Sequence, residues 1–426
     1  MNKYLLRTFS SGAAPSAAPF LVCALLLLSG CGSPFVAIFI DESEQGLSDR
    51  TKTAILTMQE NLLDDPDNAE TAFSLARQYL QAVRESADTA YYQRVDGLLS
   101  FVETAQPDNP EVDFLRGQIL MGRHDFGHAL PIGQTLVAEY PQDQRYYGLL
   151  TDAQIEMGRY GDAVATLQTM SDLKPDNAVL TRIAYLREIH GDFAGAIDVM
   201  RQAAGVPSGI PEQDAWTLSE IGRLLLPTDP ALAKLRYAEA LSIYPDSAPA
   251  LAGLAKIAAF EKDFVTAQRQ AETAFTMFGL PEYSALLGDI HSLMGNTEKA
   301  DLYYALTDAG YEAIAKTGTN VDLERGKFLA DHGRNLPLAL ELGKKVYGVH
   351  PTIYAADLLS FASLKNDLPQ DAWAHAQAAL ATGTKDPVIL THAALAAEAA
   401  GKTAQARQYR QDAAKRPHFS LLPISR

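Results

Sequence analysis

Apolar residues along most of this chain, chiefly Leu and Ala, fall three and four positions apart. That spacing puts one apolar stripe on each of many short helices. The stripes come in pairs, and one alanine context recurs at Ala129, Ala163, Ala196, Ala233, Ala267, Ala300, Ala339, Ala372 and Ala406. Most successive intervals are 33 or 34 residues, which is the length of a helical hairpin. A lone hairpin cannot bury its stripe, so the pattern predicts an all-α stack in which each unit covers its neighbours.

The breaks between stripes carry their own chemistry. In the unit Gln144–Pro175, Tyr147, Leu150, Gly158, Tyr160, Ala163, Leu167 and Pro175 stand at offsets that the next unit repeats around Gly191-Asp192-Phe193. Glycine or a small polar residue ends the first helix in a left-handed cap, and the aromatic wedges into the elbow. The alanine lets the two helices approach closely. Proline closes the second helix, and Asp or Asn after it starts the next, as in Lys174-Pro175-Asp176-Asn177.

This pattern resembles the tetratricopeptide repeat family, with the small residue of the first helix visible as Gly117, Ala184, Ala255 and Gly288. The resemblance covers residues 69–415 and implies a right-handed superhelical solenoid of about nine hairpins. Thr51–Leu63, within residues 51–68, is expected to form a helix capping the first repeat. Three units depart from the pattern. The first hairpin has an enlarged elbow at Glu85-Ser86-Ala87-Asp88, and the hairpin with Trp216 turns through Leu226-Pro227-Thr228-Asp229-Pro230. The second helix after Ala300 runs long, to Lys316, before Gly318. Groove specificity is expected to concentrate in these irregular units.

Residues 1–30 read as a lipoprotein signal peptide. Lys3 and Arg7 precede the apolar run Phe20–Leu28, which falls short of the roughly 17–25 residues of a membrane span. Leu28-Ser29-Gly30-Cys31 resembles a bacterial lipobox, which implies lipid on the Cys31 sulfur and a membrane anchor. Gly32 after the cysteine resembles sorting to the outer membrane, facing the periplasm. Residues 31–50 form an acidic tether, interrupted by the apolar run Phe35–Ile40, expected to be a short strand or docking segment packed on the first helices, with a membrane-interface contact or partner strand as the alternative. Residues 416–426 are a C-terminal tail. Cys23 and Cys31 are the two cysteines, so the body after the signal is expected to hold no disulfide.

Net charge is −16, and −18 without residues 1–30. Such acidity argues against a nucleic-acid partner. No phosphate loop, nucleophile elbow or His-Glu-x-x-His occurs, and the repeats leave no length for a catalytic domain. No enzyme activity, cofactor or metal is therefore expected. His124 and His128 flank an elbow, and His190 and His332 occupy capping positions. Thr317-Gly318-Thr319 and Thr382-Gly383-Thr384 follow second helices and read as terminators rather than nucleotide loops.

The resemblance also implies which positions face the groove. These are Arg145, Asp152, Thr181, Tyr185, Trp216, Arg223, Lys256, Glu282, Asp289, Tyr354, Asp357 and Phe361. Trp216 stands out, because tryptophan beside arginine is typical of binding hot spots. Trp373, in a second helix, is expected in the core. The Lys and Asn run with which some relatives clamp a carboxylate is absent. The expected function is a lipid-anchored scaffold gripping a protein or peptide partner in the envelope. The alternatives are an assembly factor for a pilus, secretion channel or polysaccharide exporter, and a regulatory subunit of an envelope enzyme.

Overall fold

The computed structural model describes residues 47–416, 421, 422 and 424. The expected signal peptide, Cys31, most of the tether and most of the C-terminal tail lie outside the described residues. Among these, 21 helices and no strand are present. Helix α1 (Asp49–Asp64) precedes ten hairpins. The first five are α2 (Ala69–Ser86) with α3 (Tyr91–Ala105), α4 (Pro110–Gly122) with α5 (Phe126–Glu139), α6 (Gln144–Glu156) with α7 (Tyr160–Leu173), α8 (Asn177–Ile189) with α9 (Phe193–Ala204), and α10 (Pro211–Leu225) with α11 (Pro230–Ile243). The second five are α12 (Ala248–Phe260) with α13 (Phe264–Phe278), α14 (Pro281–Leu293) with α15 (Thr297–Lys316), α16 (Asp322–Asp331) with α17 (Leu336–Val349), α18 (Ile353–Lys365) with α19 (Pro369–Ala379), and α20 (Pro387–Ala399) with α21 (Thr403–Ala414). The hairpin beyond the nine alanines is α2–α3. There Val95, fully buried three residues after Tyr92, stands where other units have alanine.

The signature residues act as their chemistry requires. Ala129, Ala163, Ala196, Ala233, Ala267, Ala339 and Ala372 have no exposed surface. At Gly288 a β-carbon would lie 2.4 Å from the Tyr304 ring, so the bare backbone there lets α15 seat its tyrosine against α14. Asp or Asn side chains cap α2, α4, α6, α8, α11, α13, α15 and α20, accepting backbone N–H groups of the first turn. Each cap satisfies a donor that the helix itself leaves unpaired. At the enlarged first elbow, Glu85 is buried and accepts from Ser48 N and Thr51 Oγ1, both at 2.8 Å, tying α1 to the array.

Each helix packs on the next, and first helices of successive hairpins also touch, as α10 with α12 and α18 with α20. First helices therefore line the inside of the curve. The curve comes round on itself. Asn320 N donates to the Arg123 carbonyl at 2.9 Å, and Ile353 N donates to the Tyr160 hydroxyl at 3.0 Å. Thr382 Oγ1 donates to the Ile189 carbonyl at 2.8 Å, and Arg416 donates to the Leu224 carbonyl. The last three pairs are 193, 193 and 192 residues apart, between five and six repeats of the 33–34-residue unit. A seam of constant offset thus joins elbows of early hairpins to loops between later ones.

Candidate functional site

The inside face is built by regular placement. Successive first helices present several residues each inward, and the seam brings late helices opposite early ones. Asp152, Tyr185, Trp216, Arg223 and Tyr354 meet around one cavity of about 530 Å³, with Thr181, Arg182, Glu188 and Glu220. Tyr354 comes from α18 and the other four from α6, α8 and α10, so the cavity exists because the coil closes. Trp216 is 42 % exposed there and also lines a neighbouring cavity with Arg84, Glu111 and Arg145.

The charges of this face are largely matched in pairs. Arg182 grips Asp152 with two hydrogen bonds, one of 2.7 Å and one of 2.5 Å. Arg223 does the same to Glu188 at 2.8 and 2.6 Å and adds Glu220 at 2.7 Å. Burial works against the Arg223 guanidinium, but Glu220 and Glu188 outweigh it and hold the group charged. Arg145 pairs with Asp143 and Glu111 and lies over the Phe114 and Tyr146 rings at 5.3 and 5.5 Å. Bidentate pairs of this kind fix planar guanidinium groups in one orientation. Trp216 is left as the large apolar surface among positioned charges.

Other expected groove residues divide. Lys256 is exposed on α12, where desolvation by the surrounding walls, with Arg223 beside it, outweighs the opposing pull of Asp289 and leaves its ammonium below the ordinary lysine range. Glu282 is exposed on α14, and burial raises its carboxyl. Asp289 accepts from the Tyr304 hydroxyl and from His332 Nε2, both at 2.9 Å, which ties it into the wall. Phe361 and Asp357 depart from the expectation. Phe361 is 2 % exposed and stacks on His392 at 3.8 Å, and Asp357, 3 % exposed, bonds His392 Nδ1 at 3.0 Å. Here α18 and α20 pack so closely that these positions fall between helices instead of facing the interior.

The seam was not expected from sequence. Its one local trace is the Thr-Gly-Thr pair. Both terminate helices, with Gly318 and Gly383 at φ +87° and +76°, yet both also reach across the coil. Thr382 meets Ile189, and Thr317 Oγ1 lies 2.7 Å from Thr89 Oγ1. The long α15 and the enlarged first elbow, two of the three irregular features, therefore meet each other. His124 is at the seam too, its Nδ1 2.8 Å from the Asn320 carbonyl, whereas His128 is exposed beside Asp125. His190 and His332 bond carbonyls of their own last helical turns at 2.8 Å. Among the described residues no group of three acidic, His or Cys side chains is arranged to hold a metal.

The molecule is a solenoid of helical hairpins with cavities along its inner wall. A tetratricopeptide repeat family model matches residues 120–183, from the end of α4 into α8. No curated protein matches the chain. Among solved structures, the human IFIT1 dimer with m7Gppp-AAAA is similar at 14 % identity, covering 86 % of each chain with a TM-score of 0.46. Pseudomonas aeruginosa PilF is similar at 13 % identity over 52 % of this chain and 96 % of its own, with a TM-score of 0.40. PilW, described as a widely conserved type IV pilus biogenesis factor, is similar at 14 % identity. It covers 48 % of this chain and 94 % of its own, with a TM-score of 0.41.

Proposed function

We propose that this protein is a scaffold that captures a protein or peptide partner on its inner wall, held at the periplasmic face of a membrane by lipid on Cys31. The observation that carries the reading is Trp216, 42 % exposed inside a cavity edged by fixed ion pairs. An exposed tryptophan within a polar ring is the arrangement of an interface hot spot. The side chains around it are already oriented, so a partner loses less rotamer entropy on binding. The lipobox-like Leu28-Ser29-Gly30-Cys31 supports the anchor, which would raise the local concentration of the scaffold along the membrane.

The experiment is crosslinking capture from cell envelopes with wild type, Trp216→Ala and Cys31→Ala. A partner lost with Trp216→Ala supports the inner wall as the working surface. A partner retained by Trp216→Ala but lost with Cys31→Ala overturns that assignment while keeping the anchor.

A further inference from the structure

A second cavity, of about 440 Å³, shares Asp152, Tyr185 and Tyr354 with the first and lies against the seam. Phe126, Glu156, Glu324 and His350 complete the part of its lining that bears on a ligand. Its charges are not all matched. Asp152 is already satisfied by Arg182. Glu156 has no hydrogen-bond or ion-pair partner among the described residues. Glu324 Oε2 is buried without a partner, and its Oε1 is 4.0 Å from His124 Nδ1, which already bonds the Asn320 carbonyl.

His350 adds a third unmet group. Its side chain is 8 % exposed, and its Nδ1 is 3.2 Å from the Met157 sulfur. A thioether can only accept, so Nδ1 carries the proton and Nε2 presents a lone pair. Among the described residues that Nε2 has no hydrogen-bond partner. Burial, working against the pull of Asp125, also keeps the imidazole below its ordinary pKa and so favours the neutral ring. No lysine or arginine lines the cavity, and the nearby Lys327 lies over the Tyr354 ring at 5.6 Å. Burial, then Asp152 and Glu324, push the Glu156 carboxyl up to about 7, as expected of an acid among acids with no cation beside it.

The enclosure therefore holds three unmet acceptors, two of them carboxylates, beside the rings of Phe126, Tyr185 and Tyr354. The complement is a multi-donor cation on an apolar stem. We propose that this cavity binds an alkyl cation, the guanidinium or ammonium end of an Arg or Lys side chain or of a free polyamine. The stem lies along the three rings, and the head sits among Glu156, Glu324 and His350 Nε2. Charge-assisted hydrogen bonds and cation–π contact supply the attraction. With a side chain as the source, the inference rests on the inner-wall function proposed above and makes the captured segment basic.

The test is calorimetric titration of the full chain with agmatine, with acetyl-Gly-Ser-Arg-Ser-Gly-amide, and with the same peptide carrying citrulline for arginine. Citrulline keeps the length and polarity but removes the charge. We expect agmatine or the arginine peptide to bind, and the citrulline peptide to bind at least about tenfold more weakly. Glu156→Gln should weaken binding about tenfold, and Glu156→Gln with Glu324→Gln should abolish it, with the circular dichroism spectrum and melt retained. Binding of agmatine alone upholds the cavity with a polyamine as its source, and binding of the arginine peptide upholds it with a side chain. Equal binding of the citrulline peptide, unchanged binding to the double variant, or no binding of either cation overturns the proposal. These probes need no cellular partner, so failure here is separable from failure of capture through Trp216.

Discussion

The seam makes a prediction that the array alone would not. Gly191 and Gly295 are both elbow glycines in left-handed conformation, at φ +79° and +73°. A β-carbon at Gly295 meets nothing within 4 Å, whereas one at Gly191 would lie 2.8 Å from the Gly383 carbonyl oxygen and 3.0 Å from Lys385 N. Those are backbone atoms on the far side of the seam, and they can yield only if the seam shifts. Alanine at either site incurs the left-handed penalty of roughly 1–2 kcal/mol. At Gly191 it adds overpacking of roughly 1–3 kcal/mol. Gly191→Ala should therefore destabilise by roughly 1–3 kcal/mol more than Gly295→Ala, read from urea midpoints at equal slope. Amide exchange over residues 382–386 should rise in Gly191→Ala alone, because the bond from Thr382 to Ile189 is lost with the fit. If the two variants agree within about 0.5 kcal/mol and exchange there is unchanged, the coil does not close in solution.

Three further outcomes are expected. Trp216→Ala should reduce partner capture with no change in melting, since the indole is half exposed; a lowered melt would mean it is a packing residue. Ala163→Leu should cost roughly 1–3 kcal/mol in a thermal or urea transition, because Ala163 has no exposed surface and its neighbours cannot retreat; an unchanged transition would contradict the hairpin register. His291 is 1 % exposed, stacks on Tyr303 at 5.4 Å, and has no hydrogen-bond partner on either nitrogen. Burial, then Lys299, lower its pKa, so its contribution is present above the ordinary value of 6.5 and is lost as pH falls below 6.5 through the lowered value. His291→Phe should therefore lose less stability than wild type between pH 7.5 and 5.5, and parallel urea midpoints would refute this. His332 and His392 act in the opposite sense. Burial lowers them, but Asp289 and Asp357 outweigh it and raise them, so their contribution is full below 6.5 and fades as pH rises through the raised values.

What could be read from sequence follows the range of the forces involved. Hairpin period, elbows and caps depend on residues within one or two repeats, and Ala163, Gly288 and Asp176 announce their roles by spacing alone. The ends of α15 and the turn before Pro230 were legible for the same reason. Phe361 misled because its position in the repeat matches an inward one, while the tight approach of α20 converts it to core. Pairings such as Asn320 with Arg123 leave no local mark, since neither residue is unusual where it stands. Only the repeated Thr-Gly-Thr hinted at a shared task, and helix termination was a sufficient account of it.

The seam also changes what kind of solenoid this is. A stack whose units touch only their neighbours is close to one-dimensional, and it can fray or bend wherever one interface is weak. Bonds from the elbows at Arg123, Tyr160 and Ile189 to residues 320, 353 and 382 add couplings between distant units. Bending the inner wall open then requires breaking several of them together. This also bears on the wall itself. Tyr354 shares a cavity with Tyr185 and Trp216 only because α18 is held opposite α8 and α10. An open coil of the same repeats would keep every local contact yet lose the cavities in which those rings meet. The ordered seam is thus the physical link between a repetitive sequence and a non-repetitive inner wall, with the offset between turns deciding which side chains become neighbours.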